Sequence, residues 1–225
     1  LKLLARRDIS QLTRPSGLPR TLRFSPDGTQ LAIGQTRGVN FVGVHDAESL
    51  ELQYRASTNM GPAIAPFRLA WSLDGQYLYA TFGTSLTTTH VIRRWPGRGR
   101  GIPDDWTIGS DLNGWSLLAL KDGGVAWSST RNGIGRFDSK GNAQWVIRPA
   151  AAAFSDSADY LRVSQDGTRI EFSTDAGRSR LNFDLNERRL SNGAGTDPTL
   201  RAPVTAAGNL NFYNQWRGTV GALQH

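Results

Sequence analysis

The chain has 225 residues, with 26 basic and 19 acidic side chains, a formal charge of +7 and no cysteine. The lack of cysteine excludes disulfides, thiolate metal sites and a cysteine nucleophile. No stretch approaches the roughly 20 continuous apolar residues of a membrane span, and Leu1–Leu4 is too short for the apolar part of a signal peptide. We therefore expect a cytoplasmic protein without a membrane span, whose basic balance favours acidic partners.

One unit occurs four times along the chain: an apolar run, an Asp-Gly pair and a second apolar run. The Asp-Gly pairs lie 47, 48 and 44 residues apart. Apolar residues alternate on both sides of each pair, which is the period of a β-strand. Asp can bond its own backbone in a turn, and Gly accepts the positive φ of a tight hairpin. We therefore expect four equivalent β-hairpins, with turns at Asp27, Asp74, Asp122 and Asp166.

The last apolar position before each turn is expected to be equivalent in the four units. A side chain at that position should be buried between neighbouring sheets, because it recurs on the same face of the first strand. The four residues are Phe24, Trp71, Leu120 and Val163.

A third strand ending in Asp follows three of the hairpins, and a fourth, outer strand comes after it. Four strands in each repeat of this length are typical of one propeller blade. The expected third strands are Val39–Asp46, Ile134–Asp138 and Leu181–Asp184, and the outer strands are Leu50–Tyr54, Ala143–Ile147 and Arg188–Leu190.

These motifs resemble the WD40 family of β-propellers over about residues 18–192. In that family Ser-Pro-Asp-Gly, here residues 25–28, joins the inner two strands, and a Trp-Asp pair often ends the third. This chain has His45-Asp46, Phe137-Asp138 and Phe183-Asp184 at those ends, and Arg94-Trp95 without an Asp in the second repeat. The resemblance implies an all-β propeller of the divergent WD40-like kind. It implies no particular activity, because propellers host many.

We expect a single propeller, or part of one, over residues 1–225. Four blades with a strand on each side are compatible with part of a larger ring of about seven or eight blades, and the lack of an initial methionine favours a missing N-terminal part. Alternatively, strands within 1–13 and 209–216 pair in a closing blade. The expected blades are about 18–56, 67–108, 115–148 and 159–190, with flanking strands or linkers at 1–17 and 193–225.

Residues 93–101 read Arg-Arg-Trp-Pro-Gly-Arg-Gly-Arg-Gly. One interpretation is an exposed basic arm that binds an acidic partner, with its tryptophan free to stack. In the other, the tryptophan fills the usual position at the end of the third strand and the arginines lie in a solvated loop. Asp104 and Asp105 would partly neutralise the patch, which argues against a dedicated nucleic-acid site. The candidate partner-binding residues are Arg93, Arg94, Trp95, Arg98 and Arg100.

The sequence contains no recognisable catalytic motif. The three histidines, His45, His90 and His225, are far apart, and no Gly-x-Ser-x-Gly pattern is present. His45 is expected to be a packed, hydrogen-bonded core residue. We therefore expect no catalytic, cofactor-binding or metal site, and a scaffold that binds a protein partner, with an acidic surface as the candidate.

The repeat region followed by the run Asn209–Trp216 is also similar to propeller regions that adjoin caspase-like protease domains in bacteria. This resemblance implies a regulatory or sensing segment of a larger bacterial multidomain protein. Any proteolytic role would then belong to a part outside these residues. The alternative function is a small-ligand- or metal-binding propeller of the hydrolase type.

Overall fold

A computed structural model describes residues 2–8, 18–36, 40–57, 65–83, 90–109, 114–129, 133–147, 162–164, 168–174, 179–192, 200–201 and 219–224. Within these ranges the regular structure is β-strand, apart from one 3-10 turn at Gly97–Gly99. Among the described residues, none belongs to a helix with the length and hydropathy needed to cross a bilayer.

Four antiparallel sheets, named blades 1 to 4, follow one another along the chain. Their strands pair in sequence order, and blade 4 has one additional strand on the edge of its first strand. The strands outside the blades are β1 (Lys2–Asp8) and β19 (Thr219–Gln224). Blade 1 contains β2 (Leu18–Phe24), β3 (Gln30–Thr36), β4 (Phe41–Asp46) and β5 (Leu52–Ala56). Blade 2 contains β6 (Ala65–Trp71), β7 (Leu78–Gly83), β8 (His90–Trp95) and β9 (Asp104–Gly109). Blade 3 contains β10 (Gly114–Ala119), β11 (Val125–Ser129), β12 (Ile134–Phe137) and β13 (Ala143–Ile147). Blade 4 contains β14 (Arg162–Ser164), β15 (Arg169–Thr174), β16 (Ser179–Asp184), β17 (Arg189–Asn192) and the additional β18 (Leu200–Arg201).

A fifth, two-stranded sheet joins the N-terminal and C-terminal strands of the described chain. β1 pairs antiparallel with β19, from Lys2 opposite Gln224 to Asp8 opposite Thr219. The alternative expected from the sequence also pairs the two ends, but it uses residues 209–216. That run, and the predicted strand Leu210–Trp216, lie outside the described residues.

The hairpin turns of blades 1 and 2 have the same internal hydrogen bonds. Ser25 Oγ donates to Asp27 Oδ1 at 2.5 Å, and Ser72 Oγ donates to Asp74 Oδ1 at 2.5 Å. The glycine after each Asp, like Gly123 in blade 3, has a φ between 70° and 79°, as expected for a turn that needs the left-handed region. The predicted turns at Asp27, Asp74 and Asp122 are therefore confirmed, whereas Asp166 lies outside the described residues.

The corresponding turn of blade 3 is one residue shorter. The Leu120 N–H donates to the Gly124 carbonyl, four residues on, whereas the serine that opens each of the first two turns donates to a carbonyl five residues on. Leu120 therefore occupies the position of that serine, and Ala119, which pairs with Val125, is the true equivalent of Trp71. The prediction that Leu120 is equivalent to Trp71 is wrong, because the last apolar residue before this turn stands where the first two turns have a serine.

The core lies between successive blades. Blade 1 meets blade 2 through Val42 and Val44 on one side and Trp71, Leu78 and Trp95 on the other. The contact of blades 2 and 3, and that of blades 3 and 4, are built in the same way from apolar residues of facing sheets. Of the four residues predicted to be buried between sheets, Trp71 and Leu120 are buried and Phe24 is half-buried. The side chain of Val163 is not among the described side chains. Blades 1, 2 and 3 therefore each contribute both of their faces to the core.

We expect the free energy of unfolding to fall as the pH drops below about 4, the usual pKa of aspartate in an unfolded chain. The Ser25 hydroxyl that donates to Asp27 holds the pKa of this carboxyl well below its usual value, and Ser72 does the same for Asp74. The folded state therefore binds fewer protons in this range than the unfolded state. The stabilisation that the two ionised carboxylates provide is complete above pH ~4, and it is lost as the pH falls through their pKa values in the folded state.

Urea unfolding at about pH 7 and about pH 3 measures this difference. The double variant Asp27→Asn/Asp74→Asn, which cannot titrate at these positions, should show a smaller loss between the two pH values. An equal loss in the variant and the wild type would assign the acid sensitivity to other carboxylates.

Candidate functional site

Arg93 lies on β8 and is buried, with only 6% of its surface exposed. Its Nε and Nη2 donate to the two carboxylate oxygens of Asp105, both at 2.6 Å, across the β8–β9 ladder. Such two-point geometry fixes the guanidinium and neutralises its charge. The expectation that all four arginines of the segment are exposed is wrong for Arg93, because strand alternation turns this side chain toward blade 1.

Arg94 points to the opposite face and links blade 2 to blade 3. Its Nη2 pairs with Asp104 at 2.6 Å, and its Nη1 donates to the Ser139 carbonyl of blade 3 at 2.6 Å. The guanidinium also lies 4.9 Å from the ring centroids of Tyr77 and Trp106. The predicted neutralisation by the two aspartates is therefore confirmed for both strand arginines.

Trp95 is fully buried at the end of β8. Its indole N–H donates to the Ser57 carbonyl at 2.7 Å, and its ring meets Phe82 edge-on with centroids 5.9 Å apart. The interpretation that Trp95 fills the tryptophan position at the end of the third strand is confirmed. The alternative of a tryptophan free to stack on a partner is wrong, since this side chain has no exposed surface.

Arg98 ties the loop after β8 to blade 1. Its backbone lies in the left-handed region, with φ 61° and ψ 27°. Its Nη2 pairs with Asp27 at 2.9 Å and its Nε donates to Gln30 at 2.9 Å. The Tyr54 hydroxyl donates to the Arg98 carbonyl at 2.6 Å. Both the side chain and the backbone of Arg98 are therefore held by a neighbouring blade.

Arg100 is the one arginine of the segment that remains exposed and, within the described part of the chain, has no carboxylate in ion-pair range. Its guanidinium lies 4.1 Å from the centroid of the Tyr54 ring. Two residues further on, Ile102 is 89% exposed. Leu73, in the Asp-Gly turn of the same blade, is 52% exposed. A cation and two apolar side chains are thus displayed at the turn end of blade 2.

Residues 96–103, named here the 96–103 loop, are held by backbone hydrogen bonds. The Pro96 carbonyl accepts from Gly99 at 3.2 Å and from Gly101 at 2.9 Å, and the Arg98 N–H donates to the Gln76 carbonyl at 2.9 Å. Together with the bonds of the Arg98 side chain to blade 1, these bonds hold the loop against blade 1 and against the Asp-Gly hairpin of blade 2. Of the five predicted residues, Arg93 and Trp95 are buried, Arg94 and Arg98 hold blades together, and Arg100 remains available.

His45 is buried, and its Nδ1 lies 3.1 Å from the Leu50 carbonyl. The prediction of a packed, hydrogen-bonded core histidine is therefore confirmed. His90 is also buried, at the other end of β8 from Trp95. In the described ranges, no three His, Asp or Glu side chains are grouped closely enough to hold a metal ion.

Buried polar residues also lie near the middle of the first strand of blades 1, 2 and 3, beside an irregularity in the half of the strand remote from the Asp-Gly turn. The strands β2, β6 and β10 each carry a β-bulge there, and the next residue is polar and buried. Bulges recur beside binding and active sites because they redirect side chains. Only the register of the strands reveals this group, since the apolar alternation of the sequence gives no sign of it. The three polar residues are Thr21, Arg68 and Ser116.

No protein-family model and no curated protein matches the chain. Among solved structures, it is similar to hydrazine synthase of Kuenenia stuttgartiensis, with a TM-score of 0.58 and 17% identity over 75% of this chain and 53% of that one. It is similar to dipeptidyl peptidase 4 of Porphyromonas gingivalis, with a TM-score of 0.55 and 13% identity over 76% and 30% of the chains. It is also similar to the periplasmic gluconolactonase PpgL of Pseudomonas aeruginosa, with a TM-score of 0.55 and 17% identity over 77% and 55%.

The chain thus spans about half the length of the first and third structures and 30% of the second. At these identities the likeness concerns the fold alone. These neighbours have β-propeller-type folds, and some of them are enzymes. Together with four successive antiparallel sheets packed face to face, they confirm the expected fold: the chain is an all-β protein with a β-propeller fold.

Proposed function

We propose that this chain is a non-catalytic interaction propeller that presents the 96–103 loop to a protein partner. The observation that carries the proposal is Arg100, an exposed guanidinium stacked on Tyr54 beside the exposed side chain of Ile102. We further propose that the propeller is of the WD40-like kind and resembles the propellers that adjoin caspase-like proteases. In this proposal it has a regulatory or sensing role in a larger bacterial cytoplasmic protein.

The stacking of Arg100 supports recognition of a carboxylate. A guanidinium that lies over an aromatic ring is oriented by the cation–π attraction while the N–H groups along its edge stay directed outward. Those groups match the two oxygens of a carboxylate. The other three arginines of the segment have aspartate partners within the chain: Asp105 for Arg93, Asp104 for Arg94 and Asp27 for Arg98.

The rigidity of the 96–103 loop supports binding as well. A loop that is already held by hydrogen bonds loses little conformational entropy when a partner docks, so more of the contact energy appears as affinity. Ile102 and Leu73 add exposed apolar surface at the same end of blade 2. We therefore expect the preferred partner segment to place an acidic residue close to an apolar one.

The test is selection of random peptides on the immobilised chain, followed by anisotropy titration of the enriched peptides. We expect enrichment of acidic–apolar sequences, and a loss of affinity of about tenfold or more for the variant Arg100→Ser/Ile102→Ser, equivalent to about 1.4 kcal/mol. The matched control is Lys140→Ser, which removes an exposed cation from blade 3. Added salt should weaken the binding of acidic peptides to the wild-type chain, because it screens the attraction between Arg100 and a carboxylate. Equal affinity for the wild type and the loop variant would contradict the choice of this surface.

The second candidate is a small-ligand- or metal-binding propeller of the hydrolase type, supported by the likeness to a gluconolactonase structure. The buried polar residues Thr21, Arg68 and Ser116 beside the inner-strand bulges are the described side chains that such a site would use. Hydrolysis of a gluconolactone, and thermal shift with Mg²⁺, Ca²⁺, Mn²⁺ or Zn²⁺, test it directly. Turnover by the purified chain that Arg68→Ala abolishes would overturn the non-catalytic proposal.

A further inference from the structure

Arg98 holds a backbone conformation that its residue type does not favour. Its φ of 61° and ψ of 27° lie in the left-handed region, which few residues other than glycine and asparagine adopt. Its neighbours Gly97 and Gly99 have φ of 60° and 101° and carry no such cost. Other residues keep these angles only where the surrounding structure determines them, and they gather at binding sites and switches. The contacts of Arg98 must therefore offset its backbone strain.

The Arg98 side chain contacts blade 1 at three points. Its Nη2 donates to Asp27 Oδ2 at 2.9 Å and to Thr29 Oγ1 at 3.2 Å, and its Nε donates to Gln30 Oε1 at 2.9 Å. The Tyr54 hydroxyl, also of blade 1, donates to the Arg98 carbonyl at 2.6 Å. The guanidinium and the peptide group that follows it in the chain are thus fixed by the same neighbouring blade.

Tyr54 joins these contacts to the cation that faces the partner. Its hydroxyl holds the Arg98 carbonyl, while its ring lies 4.1 Å from the Arg100 guanidinium. The φ and ψ of Arg98 set the direction in which the chain continues to Arg100, two residues later. A change of these angles would therefore carry Arg100 away from the ring on which it stacks.

We propose that Arg98 is a positioning residue for the partner site: its bonds to Asp27 and Gln30 hold its backbone in the left-handed region, and this conformation aims Arg100 at the partner. The inference rests on the proposed binding role of the 96–103 loop. Without these bonds the loop adopts the binding-competent conformation only part of the time, and the apparent affinity falls by that fraction. Asp27 then controls the partner site from a turn of the neighbouring blade.

The test replaces Arg98 by alanine, glycine and asparagine and measures the affinity of the enriched acidic–apolar peptides by anisotropy titration. All three variants lose the guanidinium and its bonds, but glycine and asparagine tolerate the left-handed region. We expect about a tenfold loss of affinity for Arg98→Ala. Arg98→Gly and Arg98→Asn should bind at least about threefold more tightly than Arg98→Ala. Because the three variants have the same charge, this recovery separates positioning from a direct contact of Arg98 with the peptide.

Asp27→Asn tests the same contact from blade 1. The Ser25 hydroxyl and the Thr29 N–H and hydroxyl donate to Oδ1, which asparagine keeps, whereas Arg98 donates to Oδ2, which becomes an NH2 group. The lost negative charge alone would strengthen the binding of an acidic peptide. We expect binding to weaken instead, by about threefold or more. The control Asp46→Asn makes the same charge change on blade 1, where the Oδ1 bonds stay within one turn, and should not weaken binding.

Hydrogen exchange of the free protein tests the positioning without a partner, and urea unfolding establishes that each variant is folded. The Gly101 N–H donates to the Pro96 carbonyl at 2.9 Å, and it should exchange faster in Arg98→Ala than in the wild type or Arg98→Gly. Equal exchange in the wild type and Arg98→Ala would overturn the proposal. Equal affinities of the alanine and glycine variants, or unweakened binding by Asp27→Asn, would overturn it as well. If no peptide depends on Arg100 but exchange follows the expected order, the proposed function fails and the positioning of the loop by Arg98 stands.

Discussion

Replacement of Trp71 by alanine is expected to lower the free energy of unfolding by about 3–5 kcal/mol, the range for truncation of a large buried aromatic residue. Trp71 is 4% exposed and lies in the cluster that joins blades 1 and 2. Its indole N–H also donates to the Arg23 carbonyl of blade 1 at 3.1 Å. Truncation therefore leaves a cavity between two sheets and removes this hydrogen bond. Equilibrium urea unfolding at neutral pH measures the loss.

Leu73→Ala is the matched control for this prediction. Leu73 lies two residues away in the Asp-Gly turn and is 52% exposed, so its truncation should change stability by no more than about 0.5 kcal/mol. A fall in the free energy of unfolding of less than about 1 kcal/mol for Trp71→Ala would contradict the packing of Trp71 between blades 1 and 2.

Replacement of Arg93 by serine is expected to cost about 1–3 kcal/mol of stability, the range for losing hydrogen bonds to a charged group. The variant loses both bonds to Asp105 and the contact of the guanidinium with the Phe82 ring, 5.7 Å from its centroid. It also leaves a small buried void between blades 1 and 2. Because 37% of the Asp105 side chain is exposed, water can solvate the freed carboxylate, which keeps the loss below that of a fully buried pair.

Arg100→Ser, seven residues along the same segment, provides the comparison. Its side chain is exposed and stacks on Tyr54, so we expect a change within about 0.5 kcal/mol. The two variants remove the same charge from the same segment. Equal destabilisation by the two variants would contradict the burial of Arg93 between blades 1 and 2.

Much of the fold can be predicted from the sequence because its signals are local. Asp-Gly pairs and apolar alternation act within a hairpin, and the hydrogen bonds that confirm them, such as Ser25 to Asp27, span two residues. The spacing of the pairs then indicates one blade per repeat, because each blade is built from strands that pair in chain order. The error at Leu120 arises because a leucine stands where the first two turns have a serine, so the apolar pattern alone does not show where the first strand ends.

The sequence by itself determines the strand period, the turn chemistry of the first two hairpins and the repeat that leads to a β-propeller fold. Only the tertiary structure decides that Trp95 is buried and which arginine of residues 93–100 is available. Arg98 reaches Asp27, 71 residues earlier, and Arg94 reaches Ser139, 45 residues later. Such contacts depend on how one blade stacks on the next, so no pattern within a single repeat records them. The physical reason is that strand alternation is set by neighbours along the chain, whereas the pairing of a charge is set by neighbours in space.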